Sequence, residues 1–178
     1  MLLLVTLALL GSRLCWAQKM FGVGKGRDFS TPEDTEHEIT GLRVSVDDHM
    51  LKSVQVKFGT YWDSQRGASG GITQELSLWP GEHINEIHGS FKAFLQYLLV
   101  CTDRERCVSF GESVGKQFSA FPPKEGQVLT GIFGRYVGGG LRGIGFTWDF
   151  PLEEATNAKP TNTTSSTNSN SGQKGDKS

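Results

Sequence analysis

Apolar side chains recur at every second position along this chain, in short bursts separated by turn residues. Leu42, Val44 and Val46 alternate with Arg43 and Ser45. After Asp47-Asp48, Val54, Val56 and Phe58 alternate with Gln55 and Lys57. Ile144, Phe146 and Trp148 repeat the pattern against Gly145, Thr147 and Asp149. Successive strand side chains point to opposite faces, so a period of two buries one face of a sheet and wets the other. Leu76 and Leu78 lead into Pro80-Gly81, a pair suited to the central positions of a type II turn. No window holds a 3.6-residue period with caps, which removes helical bundles and coiled coils. Bursts spaced roughly ten residues apart predict one antiparallel all-β domain, a sandwich or a barrel-like fold. The 23 glycines in 178 residues suit a chain that turns this often.

Both ends of the chain depart from this pattern. Residues Met1 to Trp16 form an apolar run too short to cross a bilayer, and Cys15-Trp16-Ala17 places small residues where a signal peptidase reads. Residues 1–17 are therefore expected to be a signal peptide, cleaved after Ala17, leaving a secreted chain with no membrane span. Residues 153–178 are rich in Ser, Thr and Asn with almost no apolar side chain, so burial cannot offset their ordering entropy. A disordered tail is expected there, with Asn162-Thr163-Thr164 as an N-glycosylation site. The folded domain is thus expected over residues 18–152. Losing the leader removes Cys15 and leaves Cys101 and Cys107, an even pair in an exported chain. Strand-like sequence flanks the polar turn between them, so a disulfide across a hairpin is expected, contributing about 2 kcal/mol.

Composition and motifs exclude several functions. A formal net charge of -1 gives no global basic field for nucleic acid. Gly111-Glu112-Ser113-Val114-Gly115 matches a hydrolase elbow, but that motif needs a helix and a later histidine. Here a strand-like segment and Pro122-Pro123 follow, and His37, His49, His83 and His88 all precede Ser113. The Gly22 to Arg27 stretch lacks both the third glycine of a dinucleotide loop and the Gly-Lys-Ser/Thr of a phosphate loop. In a strand, His83 and His88 point to opposite faces and cannot share a metal. No catalytic residue, metal or cofactor is predicted.

Four segments carry a resemblance: Leu76-Ser77-Leu78-Trp79-Pro80-Gly81-Glu82-His83-Ile84, Ile87-His88-Gly89, Gly126 through Gly134, and Leu141 through Trp148. Together they resemble the jacalin-related lectins, in order and across nearly all of residues 19 to 150. His37 through Val46 and Lys52 through Lys57 look like the mammalian zymogen granule branch of that family and its rodent salivary relatives. The resemblance implies a β-prism I: three four-stranded antiparallel sheets with pseudo-threefold symmetry. It also implies secretion through exocrine granules and sugar binding at one end of the prism, without metal.

The family's sugar site is built from three loops, which map here onto Gly24, Lys25 and Gly26; Ser90, Phe91 and Lys92; and Gly139, Gly140, Leu141 and Arg142. The family's G-x-x-x-D pattern ends in an aspartate that accepts hydrogen bonds from sugar hydroxyls. Arg142 stands at that position, and a guanidinium has five donors and no acceptor. With Lys25 and Lys92, it sets a basic rim suited to sulfated or sialylated glycans or glycoproteins. Arg27 and Arg135 are expected to extend the rim. Two other readings stay open: neutral-sugar binding, and a lectin scaffold that has lost sugar binding and meets a protein partner such as a cell-surface receptor.

Overall fold

The computed structural model describes residues 19–152, so the leader over 1–17, the tail over 153–178 and Asn162 lie outside the described residues. The described chain runs through β1 (Met20–Gly22), β2 (Arg27–Ser30), β3 (Ile39–Asp47) and β4 (Met50–Phe58). It continues with β5 (Tyr61–Trp62), β6 (Arg66–Gly67), β7 (Ile72–Ser77), β8 (Ile84–Phe91) and β9 (Leu95–Thr102). The last strands are β10 (Cys107–Gly111), β11 (Lys116–Ala120), β12 (Val128–Val137) and β13 (Gly140–Asp149).

These strands form three antiparallel sheets, each centred on one long hairpin: β3–β4, β8–β9 or β12–β13. The first sheet runs β1-β13-β12-β2, so the two N-terminal strands flank the C-terminal hairpin. The third runs β10-β9-β8-β11. The second runs β5-β4-β3-β7, with β6 also on β4, and differs from a plain four-stranded sheet. Its outer strand is split into two dipeptides: β5 pairs with the C-terminal end of β4 and β6 with its middle. Side chains fill the gap: Gln55 Nε2 donates to the Asp63 carbonyl at 2.7 Å, and Gln65 Nε2 to Ser53 Oγ at 2.7 Å.

The inner faces of all three sheets meet in one core. Val44, Leu51, Val54, Leu95, Phe110, Leu141 and Ile144 are each fully buried, and each such side chain contributes roughly 1.5–3 kcal/mol. The alternation holds through Leu42 and Val44 but not at Val46. A bulge between Ser45 and Val46 buries Ser45, whose hydroxyl meets Thr73 Oγ1 at 2.8 Å, and leaves Val46 half-buried. On the third sheet the Phe118 ring lies over its cross-strand partner Gly89, where a Cβ would come within 2.2 Å of the ring. That ring also stacks on Phe21 of β1, with centroids 4.5 Å apart, and so joins the first and third sheets.

The pole away from the three hairpin turns is held by polar groups. The Trp79–Glu82 turn is closed by Glu82 N–H donating to the Trp79 carbonyl at 3.0 Å, with Gly81 at φ +67, as the Pro-Gly pair predicts. The Glu82 carboxylate is 2 % exposed and accepts from the Trp79 N–H, Thr102 Oγ1 and two Arg106 nitrogens, each at 2.7 Å. Arg106 also donates to the Ser77 carbonyl at 3.0 Å, and its guanidinium lies 4.1 Å from the Trp79 ring centroid. Cys101 and Cys107 face each other across β9 and β10 as a disulfide, with Cα atoms 4.1 Å apart. His83 bridges Asp103 and Glu38 at 3.0 Å each, and the other Glu38 oxygen accepts from the Leu152 N–H at 2.9 Å. This pole therefore ties together the second sheet, the third sheet and the C-terminal segment.

The Arg106 hydrogen bonds hold the Glu82 carboxyl well below the usual range, at about 2. A lowered folded-state value stabilises above the unfolded value and is lost as pH falls toward the folded one. Glu82→Gln should cost about 2 kcal/mol at neutral pH and remove this part of the acid sensitivity, read by urea titration of Trp fluorescence. Burial by itself lowers the His83 pKa, but hydrogen bonds to Asp103 and Glu38 outweigh it and raise the imidazole above its ordinary 6.5. That contribution is present below the unfolded value and lost as pH rises through the folded one. Urea midpoints should fall as pH rises above 6.5 through the raised folded-state value, and fall less in His83→Gln.

Candidate functional site

The three hairpin turns share the opposite pole, one eight-residue strand away from His83, or about 24 Å. The β12–β13 turn touches the other two. A Cβ on Gly140 would lie 2.8 Å from the Leu51 carbonyl on β4, and one on Gly139 would lie 3.0 Å from the Phe94 ring. Gly138, at the tip, has open space around it and is exposed.

The loop from β1 to β2 closes over this turn because β1 pairs with β13, placing Gly22 opposite Gly143. Val23 N–H donates to the Arg142 carbonyl at 3.0 Å, extending the ladder by one residue. Gly24 follows at φ +83, and a Cβ there would lie 2.7 Å from Arg142 Nη2. A side chain would be strained in that conformation and would push the guanidinium aside. Glycine thus lets the loop backbone lie directly on the Arg142 head group.

Arg142 is partly buried, with its Nε enclosed and lacking a hydrogen-bond partner. Its guanidinium carbon is 5.7 Å from the Phe94 ring centroid, so the ring and the Gly24 backbone hold it from two directions. Lys25 is exposed beside Gly24, and Lys92 is exposed on the β8–β9 turn, where its N–H donates to the Phe94 carbonyl at 2.9 Å. Among the described residues, ion pairs of lysine and arginine engage Arg43, Lys52, Arg66, Arg106 and Arg135, and none engages Lys25, Lys92 or Arg142. Three cations without carboxylate partners therefore converge on one pole. Of the acids near it, Glu112 pairs with His49 at 2.9 Å and Asp47 lies 3.9 Å from Lys52, while Asp48 is exposed on the β3–β4 turn.

The predicted site residues divide by exposure. Gly24, Lys25, Gly26 and Lys92 are exposed, and Gly139 and Arg142 are partly so. Ser90 and Leu141 are fully buried, Gly140 is buried and Phe91 is 9 % exposed within the core. Ser90, Gly140 and Leu141 shape the loops from beneath, and Phe91 packs into the core while lining the groove between β1 and β11. Arg135 does not extend the rim, because its Nε is bound to Asp28 at 2.6 Å across the β2–β12 pair. Arg27 donates to Tyr136 Oη at 3.4 Å. Phe94 is the residue that sequence reasoning missed, although an aromatic ring next to the turn residues Lys92-Ala93 is itself a signal. Among the described residues, no cluster of His, Cys, Asp or Glu is arranged to hold a metal ion.

Residues 18–147 match the Jacalin-like lectin domain. Human zymogen granule membrane protein 16 is 35% identical over 130 residues, which is 72% of this chain and 77% of that protein. Rat prostatic spermine-binding protein is 34% identical over 151 residues; these are 83% of this chain but only 53% of that longer protein. A crystal structure of a prostate-specific WGA16 glycoprotein lectin superposes with a TM-score of 0.70 at 47% identity, covering 75% of this chain and 98% of that one. The Malaysian banana lectin shares the fold at 20% identity and a TM-score of 0.63, over 75% of this chain and 96% of its own. Since the domain match spans nearly all of the described fold, the chain belongs to the jacalin-like lectins, a non-enzymatic carbohydrate-binding family.

Proposed function

We propose that this chain is a secreted lectin that binds anionic glycans, sulfated or sialylated, at the pole formed by the three hairpin turns. The observation that carries the reading is Arg142. Its guanidinium lies against the Gly24 backbone and the Phe94 ring, with no carboxylate partner among the described residues. It stands where the family pattern places an acceptor aspartate, so the site meets its ligand with donors. A sulfate or carboxylate supplies the acceptors, and the bond is charge-assisted on both sides. Lys25 and Lys92 add long-range attraction from the two flanking loops. The zymogen granule relatives and the apolar run over residues 1–17 support export through secretory granules after cleavage behind Ala17, with residues 18–152 as the lectin domain.

A heparin-derived disaccharide and a mannose disaccharide, titrated calorimetrically against the mature chain, test the reading. The sulfated ligand should bind and weaken steeply as salt rises, because the contacts are exposed charges. Arg142→Gln should lower that affinity about tenfold or more, as expected for a lost charge-assisted hydrogen bond, while leaving the thermal midpoint near that of the wild type. Binding confined to the mannoside would overturn the proposal. Failure to bind either sugar would favour a scaffold that meets a protein partner instead.

A further inference from the structure

We infer that the seam between β1 and β11 is a second, contiguous subsite, which holds the continuing chain of a sulfated polysaccharide whose first units lie at the hairpin-turn pole. The inference rests on the anionic-glycan reading above and extends it along the side of the prism. β1 is the outer strand of the first sheet and β11 the outer strand of the third. Each pairs inward, β1 with β13 and β11 with β8, and no ladder joins them. The two edges leave a groove of about 370 Å³ between them.

The floor of the groove is aromatic and its sides are cationic. Phe21 and Phe118 stack there with an interplanar angle of 11°, and Phe91 lies 6.3 Å from Phe118. Lys19 Nζ stands 4.9 Å from the Phe21 ring centroid, and Lys116 Nζ 5.9 Å from that of Phe91. Neither lysine forms an ion pair with another described residue. The groove opens onto the pole at Gly22 and Phe91, the residues from which the first and second binding loops start. From Lys19 to Gly22 the edge runs about 10 Å. A pyranose chain carries apolar C–H faces and anionic groups on its edges. The C–H faces fit the half-buried Phe21 ring, with Phe118 and Phe91 buried beneath it, and sulfates fit the two ammonium groups. Charge complementarity and continuity with the loop site together select this occupant over an apolar peptide.

The test is chain length. A heparin disaccharide and a heparin octasaccharide are titrated against the mature chain starting at Gln18. The octasaccharide should bind more tightly by well over the roughly fourfold statistical gain of repeated units. The double variant Lys19→Gln/Lys116→Gln should lose that excess and keep the disaccharide affinity. Lys57→Gln/Lys124→Gln, which removes the same net charge elsewhere, should keep both. Thermal midpoints near wild type show that each variant is folded. No excess gain in the wild type, or an excess that survives the Lys19/Lys116 variant, overturns the groove while leaving the loop site standing. If neither oligosaccharide binds, the loop reading fails and the groove falls with it.

Discussion

The pairing of β1 and β2 with the β12–β13 hairpin is the contact on which the rest of the molecule depends. It joins the first described residues to the last and closes a chain that would otherwise end in two open sheets. Such a contact carries a large loop-closure cost, so the aromatic stack of Phe21 on Phe118 and the buried face of β13 must outweigh it. The same pairing builds the pole proposed to bind glycans, since it sets Gly22 against Gly143 and lays Gly24 on Arg142. Closure and site assembly are therefore one event. A chain without the first two strands would lose the loop over Arg142 together with the seam.

The two poles divide the work. At the pole of Glu82 and His83, the central charged groups have partners: Arg106 pairs with Glu82, and His83 with Glu38 and Asp103. At the other, Lys25, Lys92 and Arg142 are left without acidic partners in the described fold. Uncompensated charge is what a binding surface needs, and the clamped pole holds the frame that keeps those charges together.

Much of the fold is legible in the sequence because strand periodicity is local. Val54, Val56 and Phe58 announce their buried face within five residues, and Pro80-Gly81 announces its turn within two. The disulfide is legible for the same reason, as both cysteines sit on one hairpin. Long-range facts are not legible. Asp28 neutralises Arg135 from 107 residues away, so the arginine alone reads as part of the rim. The bulge after Ser45 and the split of the outer strand into β5 and β6 arise from cross-strand fit, which a single strand's pattern does not encode. At the site, the residue types of the three loops mark the place. Which of them face outward depends on packing: Ser90 and Leu141 turn inward, whereas Phe94 braces Arg142.

The hydrogen bond from the Leu152 amide to Glu38 has a bearing on how the molecule can be mounted. It anchors the exit of the chain at the face remote from the loops, whereas Lys19 lies on the groove that leads to them. A stalk, bead or fluorophore attached downstream of that anchor would present the hairpin-turn end outward, like a lamp on its post. The same attachment at the amino end would crowd the opening it was meant to display.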